Sequence, residues 1–430
     1  MRKSILGSCV AAAVVAVSTL CFSVPAGAEG GLTLEERVER LERRGELPEK
    51  GCCDTSDLQK RLDQLEAHIK NLPFGIKLGG GIAASYQYNL NDPDSDITSL
   101  RAFDKDHNSF VLDLFQLQIS RAPGEDGVGF MTKVNFGKTA ERMAADWDGD
   151  GTVGNVAEEQ NSVEVQDAFI TYNPPGLPDL QVKAGKFVTP IGAEVIEPWA
   201  NPNISRSLQF SWAIPFTHTG ATASYAFGSQ ASLMLGVVNG WDNVVDSNDG
   251  KSVLGSFALT PVDQFSLLIN GIYGAEQADR GDSKRGVVDV VATIKPVDNF
   301  ALILNYDYGN EDELPDATSG TAEWNAVSGI VSFDVPDALV VPIGFALRGE
   351  YFDDSDGTRL PTPGGAGFGN YQNAWEVTGT FKVVLAEGLM FRTEYRYDAA
   401  RNALYEKHLV GEDDTQDDQH TVAAELSYVF

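Results

Sequence analysis

From Phe74 to the end of the chain, apolar and polar side chains alternate repeatedly with a period of two. In "FRTEYRYD" at 391–398, Phe391, Tyr395 and Tyr397 share one face, while charged residues occupy the other. Successive side chains of a β-strand point to opposite faces, so this segment predicts a strand with one apolar and one charged face. Such a strand fits either a half-solvated soluble sheet or the wall of a membrane barrel.

The number and length of these segments distinguish the two possibilities. About sixteen of them follow one another, and most are nine to twelve residues long. That length suits a tilted strand that crosses a bilayer, whereas strands of soluble proteins usually have about five or six residues. The connections alternate between short turns, such as "GSQ" at 228–230, and long polar loops, such as 139–162. The sequence therefore predicts an all-β fold over 74–430, a transmembrane antiparallel barrel of about sixteen strands with short periplasmic turns and long extracellular loops.

Two of the short turns repeat one another. "PVDQF" at 261–265 and "PVDNF" at 296–300 begin 35 residues apart, which is one strand-loop-strand circuit. Pro presets a turn, and Asp can hydrogen-bond to nearby backbone. Phe265 and Phe300 would then begin the next strands near the membrane interface, where aromatic girdles lie. The repeat predicts two hairpin corners at the periplasmic rim, not a catalytic motif.

The N-terminal residues have the three parts of a secretory signal peptide. Arg2 and Lys3 precede an apolar run over 10–24, and "PAGA" at 25–28 supplies small residues before a cleavage point. This pattern predicts cleavage near Ala28, and thus an exported chain with the signal peptide at 1–28.

Residues 29–73 differ from the rest of the chain, because their apolar residues follow a helical seam. They alternate at spacings of four and three, which indicates a coiled coil in the periplasm. One interpretation is an amphipathic helix packed on its own domain; we favour self-association, with a homotrimer expected and an interchain disulfide as a consequence. The predicted oligomer contacts are Leu58, Leu62, Leu65, Ile69, Cys52 and Cys53.

Charge excludes one class of partner. The formal net charge is −30, whereas nucleic-acid binding requires a basic surface. No nucleic-acid partner is therefore expected. An enzyme is not expected either, because none of the five His residues lies at a spacing from Ser or Asp that is typical of a catalytic nucleophile and base. His218 lies between two Thr residues in "FTHTG", with no Ser or Asp at a suitable spacing.

The segment 182–225 resembles the central signature of the putative β-barrel porin-2 (OmpL-like) family, which is similar to the phosphate-selective porin O and P group. The matching residues are Gly185, Lys186, Phe187, Pro190, Gly192, Glu194, Asn201, Ser205, Arg206, Pro215, Phe216, Thr217, His218 and Gly220. Tyr428 and the terminal Phe430 resemble the signal read by the outer-membrane assembly machinery. The resemblance implies a pore for small hydrophilic solutes that is inserted among the lipids of a bacterial outer membrane. No cofactor is expected, apart from the calcium ion considered below.

The loop at 189–216 is the candidate constriction. It is too apolar to extend into water, so we expect it to fold into the barrel lumen, where its charges Glu194, Glu197 and Arg206 would help to decide which ions pass. The strand phases place further basic residues toward the lumen, namely Lys133, Lys183, Lys186, Lys295, Arg348, Lys382, Arg392 and Arg396. Facing them would be the acidic residues Asp289, Asp307, Glu350, Glu376, Glu394 and Glu425. An open alternative is that these charges only solvate a wide wall.

The expected function is passive diffusion of small hydrophilic solutes and ions. Because the acidic excess lies in the loops, as in "GEDDTQDD" at 411–418, weak cation preference is expected. Two alternatives remain open. The first is a structural barrel tethered through its coiled coil to the cell wall, with peptidoglycan or another periplasmic partner. The second is an anion- or phosphate-selective porin.

One motif resembles a metal site. In "DWDGDGTVGNVAEE" at 146–159, three carboxylates and a Gly match the opening of a calcium loop. The final Glu comes one residue later than the pattern requires, so an ordinary acidic surface loop is the other interpretation. The predicted Ca²⁺ ligands in loop 146–158 are Asp146, Asp148, Asp150 and Glu158.

Overall fold

The computed structural model describes residues 75–144, 163–312, 320–335, 341–361, 372–401, 405–407 and 415–430. The predicted signal peptide, coiled-coil segment and calcium motif lie outside these residues, so those three predictions stay predictions. Most of the described residues belong to one compact unit, Leu78–Phe430.

Sixteen strands of the described chain form a closed antiparallel barrel in which neighbours in sequence pair with one another. Fifteen of them come first in the chain: β1 (Lys77–Asn89), β2 (Ser109–Arg121), β3 (Val128–Phe136), β4 (Val163–Tyr172), β5 (Leu180–Val188), β6 (Thr217–Phe227), β7 (Ala231–Val238), β8 (Ser252–Val262), β9 (Phe265–Gln277), β10 (Arg280–Val297), β11 (Phe300–Asp312), β12 (Thr321–Val335), β13 (Ile343–Asp354), β14 (Gln372–Ala386) and β15 (Leu389–Ala400). A separate two-stranded sheet follows, formed by β16 (Tyr405–Glu406) and β17 (Thr415–Gln416). The last barrel strand is β18 (Asp418–Val429).

The predicted barrel and its strand number are confirmed, although strand lengths vary more than expected. The barrel strands range from the 8 residues of β7 to the 18 residues of β10. One short helix, α1 (Lys138–Ala144), follows β3. No helix among the described residues is long and apolar enough to span a membrane.

The two repeated corners are tighter than the sequence suggested. Val262 pairs with Phe265 and Val297 pairs with Phe300, so each turn has only two residues between the strands. The prolines that were predicted to start the turns instead lie at the ends of β8 and β10, where the pairing register shifts. Pro has no N–H for the ladder, and a bulge is one of the few places in a sheet that accepts it.

The outer face of the wall is apolar, as a lipid-facing surface must be. On β7, for example, Leu233, Leu235 and Val237 are exposed and alternate with half-buried residues that point inward. This alternation of an apolar exterior with a more polar interior is the pattern of an outer-membrane barrel.

The barrel closes where its two ends meet. β1 pairs with β18, and the backbones of Gly80 and Phe430 exchange two hydrogen bonds of 3.1 Å each. The rings of Tyr428 and Phe430 stack with their centroids 6.2 Å apart and remain exposed on the outer face.

A hydrophobic core lies inside the barrel. It contains side chains from the loop at 189–216, from the loop between β1 and β2 (the first long loop), and from the inner faces of several strands. Its larger members are Leu100, Phe103, Phe187, Ile191, Ile196, Leu208, Phe210, Trp212, Ile214, Phe216, Trp241, Leu254, Ile272, Trp324, Phe352 and Leu360. The sequence predicted an apolar inward loop, but it did not predict that Leu100 and Phe103 of an otherwise polar loop would join this core.

Candidate channel constriction

The loop at 189–216, hereafter the inner loop, connects β5 to β6 and crosses the barrel interior. Its Glu197 accepts a hydrogen bond from Gln116 of β2 (3.2 Å), and its Ala193 N–H donates to Asn305 of β11 (3.0 Å). A Cβ added to Gly81 of β1 would lie 2.8 Å from the ring of Trp199, so the loop also touches the strand that closes the barrel. One loop can contact strands on different sides of a closed barrel only if it crosses the barrel interior.

Two wall carboxylates hold the backbone of the inner loop. Glu394 of β15 accepts hydrogen bonds from the N–H groups of Ile204 (2.6 Å) and Ser205 (3.0 Å). Glu350 of β13 accepts from those of Leu208 (2.5 Å) and Gln209 (3.0 Å). Because each carboxyl group accepts from two consecutive backbone N–H groups, each fixes one turn of the loop.

Three arginines of the barrel wall bind the same loop through its backbone carbonyls. Arg392 donates to the carbonyls of Pro198 (3.0 Å), Asn201 (2.7 Å) and Asn203 (3.1 Å), and it pairs with Glu425 of β18 at 2.6 Å. Because five guanidinium N–H groups point in fixed directions, one arginine can satisfy several carbonyls at once.

Arg348 and Arg396 complete this arginine cluster. Arg348 donates to the Ser205 carbonyl (2.7 Å) and pairs with Glu376 (2.6 Å), and Arg396 donates to the Arg206 carbonyl (2.6 Å). All three arginines point inward, in the phase that the sequence predicted. Their side chains are at most 1% exposed, however, so they fasten the inner loop to the wall and do not border open water.

Glu194 and Arg206 also stabilise the inner loop. Arg206 donates to the carbonyls of Val195 (3.0 Å) and Ile196 (2.7 Å), and Glu194 pairs with Arg348 at 2.8 Å. Burial lowers the pKa of the Arg206 guanidinium from its ordinary value, while the Glu194 carboxylate opposes that change. Both residues, predicted to face the passage, are buried.

Several ionic side chains that keep solvent access lie on β3–β5 and on the part of the inner loop beside them. The Lys133 ammonium is 2.6 Å from the Glu197 carboxylate, and these side chains are 17% and 12% exposed. Burial alone would raise the pKa of Glu197, but Lys133 brings it below its ordinary value, so the carboxylate stays ionised. Lys186 pairs with Glu164, and these side chains are 13% and 19% exposed.

Lys183 extends the same wall. Its Nζ atom lies over the rings of Phe169 (4.8 Å) and Phe187 (5.1 Å), a cation–π arrangement that keeps the ammonium half-buried on the inner face. Together with Lys133, Lys186, Glu164 and Glu197, this residue forms what we call the ionic wall. Most predicted site residues thus fall into a buried set that clamps the loop and an accessible set at β3–β5. Two predicted lysines belong to neither set: Lys295 is exposed, and Lys382 pairs with Asp334 at 2.6 Å with its side chain 29% exposed.

Sequence reasoning missed several participants. Glu164 and Asp167, which lies 3.5 Å from Lys133, were not among the predicted lumen residues. Arg101 of the first long loop was also missed; it pairs with Asp398 of β15 at 3.0 Å. Alternation along β4 could have indicated Glu164. The role of Arg101 had a weaker signal, the apolar residues on either side of it in "SLRAF" at 99–103.

His218 has a structural place at the base of the inner loop. One ring nitrogen lies 3.0 Å from the Thr189 hydroxyl and the other lies 2.9 Å from the Gly240 carbonyl oxygen. The buried ring thereby ties the first residue of the inner loop to the loop that follows β7.

A closed sixteen-strand barrel with a lipid-facing exterior and a charged loop packed inside defines an outer-membrane β-barrel channel. The family model described as "Putative beta-barrel porin-2, OmpL-like" matches residues 75–430. This chain belongs to that family. No curated protein matches the chain significantly.

Solved outer-membrane proteins share the fold. The outer membrane channel DcaP of Acinetobacter baumannii has a TM-score of 0.52 at 14% identity, over 83% of this chain and 97% of the other. An anion-selective porin from Comamonas acidovorans has a TM-score of 0.52 at 13% identity, over 83% and 99%. The trimer form of Vibrio cholerae OmpT has a TM-score of 0.51 at 10% identity, over 83% and 99%. At these identities the similarity concerns the fold alone.

Proposed function

We propose that this protein forms a water-filled channel for passive diffusion of small hydrophilic solutes and ions across a bacterial outer membrane, with weak cation preference. The observation that carries the proposal is the inner loop, which narrows the lumen beside an ionic wall that keeps solvent access. Charged side chains at a narrowing act on passing ions at short range, where salt screens them least.

The sign of the charges supports only weak selectivity. Within the ionic wall and its neighbour Asp167, three lysines face three carboxylates, so their formal charges cancel. The acidic long loops then tip the balance toward cations, because a negative vestibule concentrates them. The second candidate is an anion- or phosphate-selective porin, which the three lysines on β3 and β5 favour.

The first experiment is solute flux through the purified full-length protein in liposomes. Swelling with sugars of graded size should show uptake that ends at a size limit, and a KCl gradient across a planar bilayer should give a small reversal potential of cationic sign. Absence of swelling would favour a structural tether. A reversal potential of clear anionic sign would reject the cation preference and support the second candidate.

Neutralising the ionic wall should increase cation preference. In Lys133→Gln/Lys186→Gln, two positive charges leave the passage while Glu197 and Glu164 remain. One unit charge at about 4 Å in water contributes about 1 kcal/mol, so we expect the K⁺/Cl⁻ permeability ratio to rise about two- to fivefold after screening. The ratio is obtained from reversal potentials in a KCl gradient.

The control is Lys251→Gln, which removes one positive charge, half of what the double variant removes, from a half-exposed lysine that pairs with Asp246 in a long loop. It should leave the ratio nearly unchanged. An equal change per charge removed in both variants would mean that net charge, and not the ionic wall, sets selectivity.

The assembly of the channel belongs to the same proposal. We expect a homotrimer, supported by the trimer form of the V. cholerae neighbour and by the predicted coiled coil with Leu58, Leu62, Leu65 and Ile69. The periplasmic segment would carry the interchain disulfide at Cys52 or Cys53 and contact the cell wall, and Tyr428 and Phe430 would present the chain to the assembly machinery. Non-reducing gels of the exported protein test the disulfide, and a monomer under mild detergent would contradict the trimer.

A further inference from the structure

A cavity of about 190 Å³ lies inside the barrel, between the inner loop and the wall formed by β12–β15. Residues 199–202 of the inner loop form its roof, and its wall includes Ser332, Asp334, Lys382 and Met390. Asp334 is the second-last residue of β12 and Met390 is the second residue of β15, so the cavity lies toward the end of the barrel that carries the short turns. It is smaller than the sites of about 300–1,000 Å³ that hold drug-sized ligands, and it therefore suits a small solute.

The roof of the cavity is held in one conformation. Arg392 donates to the carbonyls of Pro198 (3.0 Å) and Asn201 (2.7 Å), and the Asn201 side chain bonds backbone groups of the same loop. The Trp199 ring leans on β1, because a Cβ added to Gly81 would lie 2.8 Å from two of its ring carbons. A surface that is fixed before a solute arrives loses little conformational freedom on binding.

The polar side of the cavity carries balanced charges. The Lys382 ammonium lies 2.6 Å from the Asp334 carboxylate, and these side chains are 29% and 54% exposed. An ammonium has three donors and a carboxylate has about four acceptor sites, so one contact between them leaves capacity for a solute. The Ser332 hydroxyl on the same wall both donates and accepts. The cavity thus offers donors and acceptors together without a net formal charge.

This lining fits a neutral sugar better than an ion. Each sugar hydroxyl both donates and accepts, so one molecule can bond the carboxylate and the ammonium without separating them. The C–H face of a sugar ring is apolar, and an indole such as that of Trp199 presents a large, rigid apolar surface. A small ion would meet no net charge of opposite sign. A zwitterion would have to compete with the ion pair between Asp334 and Lys382.

We propose that Trp199, Ser332 and the Asp334–Lys382 pair form a subsite for a monosaccharide, where a neutral sugar pauses beside the constriction during its passage. This inference rests on the proposed function, since a solute reaches the cavity only through an open lumen. Conduction requires a site that is favourable enough to enter and weak enough to leave. The solvent access of Asp334 and Lys382 agrees with weak binding, because exposed charged groups contribute little.

The test is block of the ion current by glucose in planar bilayers that contain the full-length protein. Glucose should reduce the KCl current saturably, and the half-blocking concentration measures its affinity. Trp199→Leu keeps apolar bulk but removes the ring, so we expect that concentration to rise about three- to tenfold. Trp199→Phe, which keeps a ring, should recover most of the loss. The matched control is Trp375→Leu, which removes an exposed tryptophan on the outer face and should change nothing.

A second variant tests the polar side of the subsite. Asp334→Leu/Lys382→Met removes both charged groups at an unchanged formal net charge, and it should raise the half-blocking concentration at least about threefold. Folded barrels run differently on gels before and after heating, so heat-modifiable mobility shows whether each variant still folds.

The outcomes separate the subsite from the channel. A protein that conducts without saturable glucose block, or that is blocked equally in the parent and in Trp199→Leu, overturns the subsite and leaves the proposed function intact. Block by glycine at lower concentrations than by glucose would assign the cavity to a zwitterion and reject the sugar. Absence of any current would overturn both proposals.

Discussion

Replacement of residues 193–212 by a short Gly-Ser linker should raise single-channel conductance severalfold and move the size limit of liposome swelling to larger sugars. The segment contains the turns that cross the lumen, and its removal opens the path that they fill. The barrel itself should survive, because strand pairing on both sides of the inner loop does not depend on it. The carboxylates and arginines that held the loop would become hydrated.

A matched control replaces residues 313–319, between β11 and β12, by a Gly-Ser linker of the same length. Conductance should then change little, since this variant keeps every residue of the inner loop. If the Gly-Ser variant folds, as heat-modifiable mobility reports, and conducts like the parent, the inner loop is not the narrowing and the route lies elsewhere.

Arg392→Met should destabilise the folded barrel by about 3–5 kcal/mol. The substitution keeps much of the apolar stem but removes the charge that three loop carbonyls and Glu425 share, and it leaves that carboxylate buried without its partner. Urea unfolding of the protein in lipid vesicles, followed by tryptophan fluorescence, gives the free-energy difference. Conductance should also become noisier, because the loop tip loses its strongest anchor.

Two further variants test whether loss of the Arg392 guanidinium causes the destabilisation. Arg121→Met removes an arginine that pairs with Asp126 near a short turn, where the partially exposed ion pair should contribute at most about 1 kcal/mol. Arg392→Met/Glu425→Gln should recover part of the loss, because it also removes the unpaired charge. A cost for Arg392→Met no greater than that of Arg121→Met would show that the inner loop does not depend on this guanidinium.

The wall of the barrel could be predicted because its signal is local. In β15, the alternation of Phe391 and Tyr395 with Arg392 and Glu394 appears within eight residues, and the structure keeps those faces. Turn boundaries were less predictable. Pro261 was expected to open a turn, but strand pairing continued past it through a bulge to a two-residue corner.

The state of the inward charges could not be predicted, because it depends on contacts between distant segments. Sequence phase indicates that Arg348 points inward, but not that Ser205 and Glu194 cover it from 143 and 154 residues away. Similarly, alternation places Asp289 and Asp307 on the inner face, whereas only the register of β10 with β11 makes them direct partners. The apolar content of the inner loop indicated that it is buried. Which charged side chains remain near water depends instead on the ion pairs and hydrogen bonds between the loop and the wall.

The inner loop's anchors also constrain the order in which the molecule is made. Ile204 hydrogen-bonds to Glu394, which comes 190 residues later in the chain, and Leu208 hydrogen-bonds to Glu350, which comes 142 residues later. These partners do not yet exist beside the loop when β5 and β6 first pair, and β1 meets β18 only after the last residue has arrived. Contacts between residues so far apart in sequence form late in folding. We therefore expect the inner loop to reach its final position only after β13 and β15 have joined the wall, so the width of the passage is set late in assembly.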